Sequence, residues 1–154
     1  MRRLALIGTG GLALAGAAAA LLLRPAGAEG VRLAPDDAAV VAQGAEVYAA
    51  ECAACHGESL EGQPDWRSPG PGGLRPAPPH DASGHTWHHD DATLFTLTKH
   101  GLDGLMEDAP PSGMPAYEGV LTDAEIVAVL SYIKSTWPDD VRARHDDIND
   151  RARP

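Results

Sequence analysis

Cys52-Ala53-Ala54-Cys55-His56 places two thiols three positions apart, with a histidine directly after the second. The spacing suits covalent attachment of haem. On a helical turn the sulfurs at i and i+3 share one side, so each can add across one haem vinyl group. His56, next in line, is directed at the iron. A bare Cys-x-x-Cys pair is also compatible with a redox dithiol, half of a zinc site or a local disulfide. No second cysteine pair exists to complete a zinc site, and no alternating strand and helix pattern surrounds the motif. Haem attachment is the favoured reading.

Composition agrees. The 154 residues suffice for one domain but include only one Phe, three Tyr and three Trp. A haem would supply the large apolar body that those rings do not. With 17 Gly and 13 Pro, long irregular segments are expected. The formal net charge of −10 excludes a nucleic-acid partner, which would call for a basic face.

Met1-Arg2-Arg3 precedes an uncharged run of 20 residues, Leu4 to Leu23, closed by Arg24-Pro25 and followed by Ala26-Gly27-Ala28. As a helix the run would span about 30 Å. Residues 1–28 therefore read as a cleaved signal peptide or a retained membrane anchor through residues 4–23. Either places the rest of the chain outside the cytoplasm, periplasmic and soluble or anchored to the cytoplasmic membrane, where Cys-x-x-Cys-His is loaded with haem. Residues 29–35 read as a linker, 36–138 as the domain and 139–154 as a charged tail, solvated and partly helical.

Within the domain, Asp36 and Asp37 suit a helix start, and Val40, Val41, Gly44, Val47 and Tyr48 share a face leading into the cysteine motif. From Gly57 to Asp91 repeated Pro and Gly interrupt any period, as in a loop that wraps a cofactor. Asp91 opens a short helix through Leu94, Phe95, Leu97 and Thr98, which Gly101 ends. His85, His88 and His89 could ligate copper or zinc or supply a second iron ligand, or simply pack as a polar loop around Trp87. His100 suits a helix C-terminus. Met114-Pro115 offers a thioether on a stiff loop and is the preferred sixth iron ligand, with Met106 or a histidine as alternatives. Thr122-Asp123-Ala124-Glu125 is a capping box opening a helix with Ile126, Val129, Leu130 and Ile133 inward and Pro138 as its stop.

The order of these features resembles the class I cytochrome c family, of the small bacterial monohaem kind, over residues 36 to 138. The resemblance rests on the helix with Gly44 and Tyr48, Cys52-Ala53-Ala54-Cys55-His56-Gly57, Ser112-Gly113-Met114-Pro115-Ala116-Tyr117, Leu121-Thr122-Asp123-Ala124-Glu125-Ile126 and Tyr132-Ile133. It implies an all-α fold of a few short helices around one covalent haem c, with the first and last helices crossing near Gly44 and Tyr132. It implies thioethers at Cys52 and Cys55, and His56 and Met114 as axial ligands. A proline carbonyl, from Pro78 or Pro79, would accept a hydrogen bond from the His56 ring. Arg75 and Trp87 become candidates to contact a propionate, and Tyr48 a further haem contact. The implied function is single-electron transfer between redox proteins, with no substrate at the metal, and partners bearing basic docking surfaces. Alternatives are a haem-based gas or redox sensor, a tethered cytochrome subunit of a membrane oxidoreductase, and a metal-binding protein using the histidine-rich loop.

Overall fold

The computed structural model describes residues 30–153; the apolar N-terminal run, read as signal peptide or anchor, lies outside them. The described residues are helical, with no β-strand among them: α1 Ala38–Val47, α2 Ala53–His56, α3 Asp91–His100, α4 Asp123–Ser135 and α5 Asp139–Ala152. The all-α expectation holds. No helix among these residues is long and apolar enough to cross a membrane.

The helix ends follow local chemistry. Asp37 caps α1, its Oδ1 accepting the N–H groups of Ala39 and Val40 at 3.0 and 3.2 Å. Thr122 and Glu125 close a capping box at α4: the Thr122 hydroxyl accepts from Glu125 N–H, and the Glu125 carboxylate accepts from Thr122 N–H. Asp90, not Asp91, caps α3 by accepting the Thr93 N–H at 3.0 Å. Gly101 ends α3 at φ 73°, a conformation that a side chain disfavours.

The core forms where α1 and α4 cross. Ile126, Val129 and Ile133 of α4 are buried, with Tyr48, Phe95 and Trp137 as the large rings around them. Burial of each aliphatic side chain of this kind is worth about 1.5–3 kcal/mol. Gly44 is the contact point: a Cβ there would lie 2.0 Å from the carbonyl oxygen of Ala128 and 2.8 Å from Cβ of Tyr132. The crossing near Gly44 and Tyr132 is as expected. Ser131, wholly buried, is satisfied at both ends: its hydroxyl donates to Val127 O at 2.6 Å and accepts the Ala34 N–H at 2.9 Å.

Both ends of the described chain are held more closely than the sequence suggests. Val31, in the stretch read as linker, is buried, and Leu33 N–H donates to the Asp91 carboxylate at 2.9 Å. Residues 139–152 are a continuous 14-residue helix, where a solvated and partly helical tail was expected. Val141 and His145 are buried beneath it. Asn149 exchanges two hydrogen bonds with Asp91, Arg142 meets Asp36 at 2.6 Å, and the buried Lys134 pairs with Asp146. Two of the three residues that α5 meets in these pairs, Asp91 and Asp36, lie far away in sequence, so helical periodicity in α5 alone does not reveal the docking.

Candidate functional site

The site is built around the end of α1. The chain leaves α1 through a π-helical turn, Tyr48–Cys52, and enters the single turn of α2. That route sets Cys52 half-buried and Cys55 exposed, both as free thiols, and leaves His56 buried. Burial, followed by the Glu51 and Cys55 charges, pushes the Cys52 thiol up to about 11, so it stands as a neutral thiol. Gly57, at φ 84°, turns the chain away from α2.

The Pro-rich loop then passes beneath the histidine. Nδ1 of His56 lies 2.8 Å from Pro78 O; since a carbonyl only accepts, Nδ1 carries the proton and donates. Of the two prolines considered, it is Pro78 whose carbonyl meets the ring, while Pro79 is buried against Gly62 and Gly84. Nε2 is left with a lone pair and makes no hydrogen bond among the described residues. Burial lowers the His56 pKa, partly opposed by the Pro78 carbonyl, so the imidazole is neutral. Neutral imidazole with its far nitrogen anchored is the form that ligates a metal.

A second imidazole supports the first. The His80 ring stacks on His56 with centroids 3.9 Å apart and planes 21° off parallel. Its Nδ1 lies 2.8 Å from Thr86 Oγ1, and its carbonyl accepts from Trp137 Nε1 at 2.7 Å. Burial, then the neighbouring His56 and His85, hold His80 well below the usual histidine value. Sequence reasoning missed this role, because His80 sits in an aperiodic loop.

Two tyrosines tie the cysteine-bearing turn. Tyr48 donates from its hydroxyl to Gly57 O at 2.8 Å, spanning the motif. Tyr117 donates to Glu51 O at 2.8 Å, joining the methionine-bearing segment to the residue before Cys52. Met114 is half-buried, whereas Met106 is half-exposed at 50%.

The remaining candidates separate. Arg75 lines a groove of about 280 Å³ with Trp66, Pro76, Pro78 and His85, and its guanidinium donates to Arg67 O. Trp87 lies elsewhere: it packs on His88, donates to Ala82 O at 3.4 Å and faces Arg144 of α5. Trp66, which the sequence did not single out, is the indole beside Arg75, stacked on His85 at 5.2 Å. Of the histidine-rich loop, the His85 and His89 rings approach to 5.8 Å while His88 turns to Trp87. No group of three or more His, Cys, Asp or Glu among the described residues is gathered to hold a metal ion. His100 meets Glu118 at 3.4 Å.

These residues fit a covalently held haem: two unpaired thiols one turn apart, a neutral buried imidazole with its outer nitrogen oriented by a carbonyl, and a thioether on a neighbouring segment. Comparison with known proteins agrees. The family model described as Cytochrome c matches residues 41–137. The chain is similar to the Cbb3-type cytochrome c oxidase subunit FixP of Bradyrhizobium sp. (strain ORS 278), 30% identical over 96 residues, covering 61% of this chain and 27% of that protein. It is also similar to the Cbb3-type cytochrome c oxidase subunit CcoP of Azospirillum sp. (strain B510), 34% identical over 97 residues, covering 63% of this chain and 29% of that protein. The match thus spans less than a third of the length of these curated relatives. No solved structure matches significantly.

Proposed function

The chain belongs to the cytochrome c family, and from that premise we propose that it is a monohaem electron carrier working outside the cytoplasm. Cys52 and Cys55 hold the haem through thioethers, and His56 and Met114 are its axial ligands. When bound, the haem supplies a one-electron iron couple, with methionine ligation raising its potential. The polypeptide does the rest. Pro78 fixes the His56 tautomer and makes Nε2 the donor atom. His80, Thr86 and Trp137 keep that ring from rotating. Arg75 and Trp66 offer a guanidinium and an indole N–H beside the groove, suited to carboxylate groups at the edge of a haem. Partners would be redox proteins with basic docking surfaces.

The single observation that carries this reading is the 2.8 Å contact of His56 Nδ1 with Pro78 O directly after two free cysteines at haem-attachment spacing. The test is maturation of the full chain in a host competent for haem attachment. Its intact mass should exceed the polypeptide by one haem, and Cys52→Ala with Cys55→Ala should abolish the gain. Oxidised wild-type protein should show the weak red charge-transfer band of methionine-ligated haem. Met114→Ala should lose that band and lower the potential; persistence of the band would remove Met114 from the site.

A second reading is a tethered subunit of a membrane oxidoreductase, favoured because both relatives named above carry oxidase-subunit names. Residues 4–23 would then be the tether. Co-purification of the haem-loaded chain with a membrane complex selects this reading; recovery in the soluble extracytoplasmic fraction alone selects the free carrier.

A further inference from the structure

We infer that Tyr117 is a positioning residue for the sixth ligand: its phenol, bonded to the Glu51 carbonyl, latches the Met114 segment to the turn that carries Cys52, Cys55 and His56. The inference rests on the ligand assignment proposed above and extends it to a residue outside the proposed ligand set.

The Met114 segment is otherwise tied to one side only. After Met106 N–H bonds Leu102 O, no residue before Tyr117 makes a hydrogen bond to another element among the described residues. Met114 N–H itself bonds only Ser112 Oγ, two residues back, at 3.1 Å. At Tyr117 three bonds form together. Its N–H donates to Thr98 O at 3.1 Å, Glu118 N–H donates to Lys99 O at 2.8 Å, and its hydroxyl donates to Glu51 O at 2.8 Å. The first two hold the segment to the end of α3. The hydroxyl alone crosses to the cysteine-bearing side, joining positions 66 residues apart. Tyr117 is 7% exposed, and its ring is fixed before its hydroxyl reaches the carbonyl.

Tyr117 lies three positions after Met114, at most about 10 Å of extended chain. A fixed point at Tyr117 therefore confines the sulfur to a small region. Freed on the Glu51 side, the segment would pivot on its α3 attachment, and Met114 would leave the iron more often. Burial pushes the phenol up to about 12, so it remains a donor throughout the physiological range. The net contribution of one such bond corresponds to about a three- to tenfold effect on an equilibrium.

The test uses full-length, haem-loaded, oxidised protein and exogenous imidazole, which replaces Met114 at a rate limited by departure of the sulfur. Tyr117→Phe removes only the hydroxyl and should accelerate exchange about three- to tenfold. Substituting 4-aminophenylalanine, which keeps a donor at that position, should return the rate toward wild type. A lower melting temperature with unaltered exchange would reduce Tyr117 to a packing residue and overturn the latch, as would equal acceleration in both variants. If Tyr117→Phe fails to take up haem, uptake by the 4-aminophenylalanine variant supports the latch and failure of both counts against it. Survival of the charge-transfer band in Met114→Ala would sink the ligand assignment itself. Loss of that band together with unchanged exchange in Tyr117→Phe would sink the latch alone.

Discussion

His145 is wholly buried under the edge of Trp137, with ring centroids 5.1 Å apart. Its Nδ1 lies 3.3 Å from Asn149 Nδ2, while Nε2 has no hydrogen-bond partner and stands 3.6 Å from the Asp91 carboxylate. Burial lowers its pKa, Lys134 lowers it further, and Asp91, the His89 backbone and Asp146 oppose the shift without reversing it. The consequence for stability has a definite sign. At mildly acid pH the unfolded chain protonates this histidine near its ordinary value of about 6.5, and the folded chain does not. The unfolded state then binds more protons, so stability falls as pH drops below that value and levels off only beneath the depressed folded value. His56, His80, His85 and His89 are shifted in the same direction, so the total slope belongs to no single residue. The difference does. His145→Gln, which cannot protonate, should flatten the dependence of denaturation midpoint on pH between about 7 and 5. Parallel curves for variant and wild type would show that His145 titrates normally in the fold.

At the scale of elements, the crossing of α1 and α4 allows no side chain at Gly44. Gly→Ala within a helix ordinarily gains up to about 1 kcal/mol. Here the added methyl would meet the Ala128 carbonyl at 2.0 Å, a backbone group that cannot swing aside. Gly44→Ala should instead destabilise the protein by about 1–3 kcal/mol, as overpacked cores do, and thermal unfolding would reveal a neutral or stabilising result as readily as a loss. This crossing was legible in the sequence because Gly44, Tyr48, Ile126 and Val129 repeat at helical spacing, and the α4 capping box marks its start. The cysteine pair with its buried histidine could be picked out because its spacing is local, and the roles proposed for these residues and for Met114 rest on that spacing. The tail was legible as partly helical, but its docking was not, because that uses Asp91, Asn149 and Lys134 where periodicity looks for apolar residues. Trp66, His80 and the Tyr117–Glu51 bond were also hidden. Their places depend on how an aperiodic loop folds back, and no short-range pattern encodes that.

Over the whole molecule the charge is lopsided. After Ala28 the chain carries nine basic against 22 acidic residues, a formal −13 before any haem carboxylates are counted. Such an excess sets up a negative potential over most approach directions, which accelerates encounter with a cationic surface and hinders encounter with an anionic one. The contribution is to the rate of association more than to the strength of the final contact. It also depends on screening, since the Debye length shrinks from about 30 Å at 0.01 M salt to about 3 Å at 1 M. Electron exchange with a small basic redox protein should therefore slow by about tenfold or more between those extremes. Exchange with an acidic partner should quicken over the same range. Stopped-flow measurement of both, on the haem-loaded chain, separates steering by the acidic surface from a purely apolar contact at the haem edge. The apolar alternative predicts that neither rate falls with salt. A rate with the basic partner that holds constant across the range would exclude electrostatic steering as the basis of partner choice.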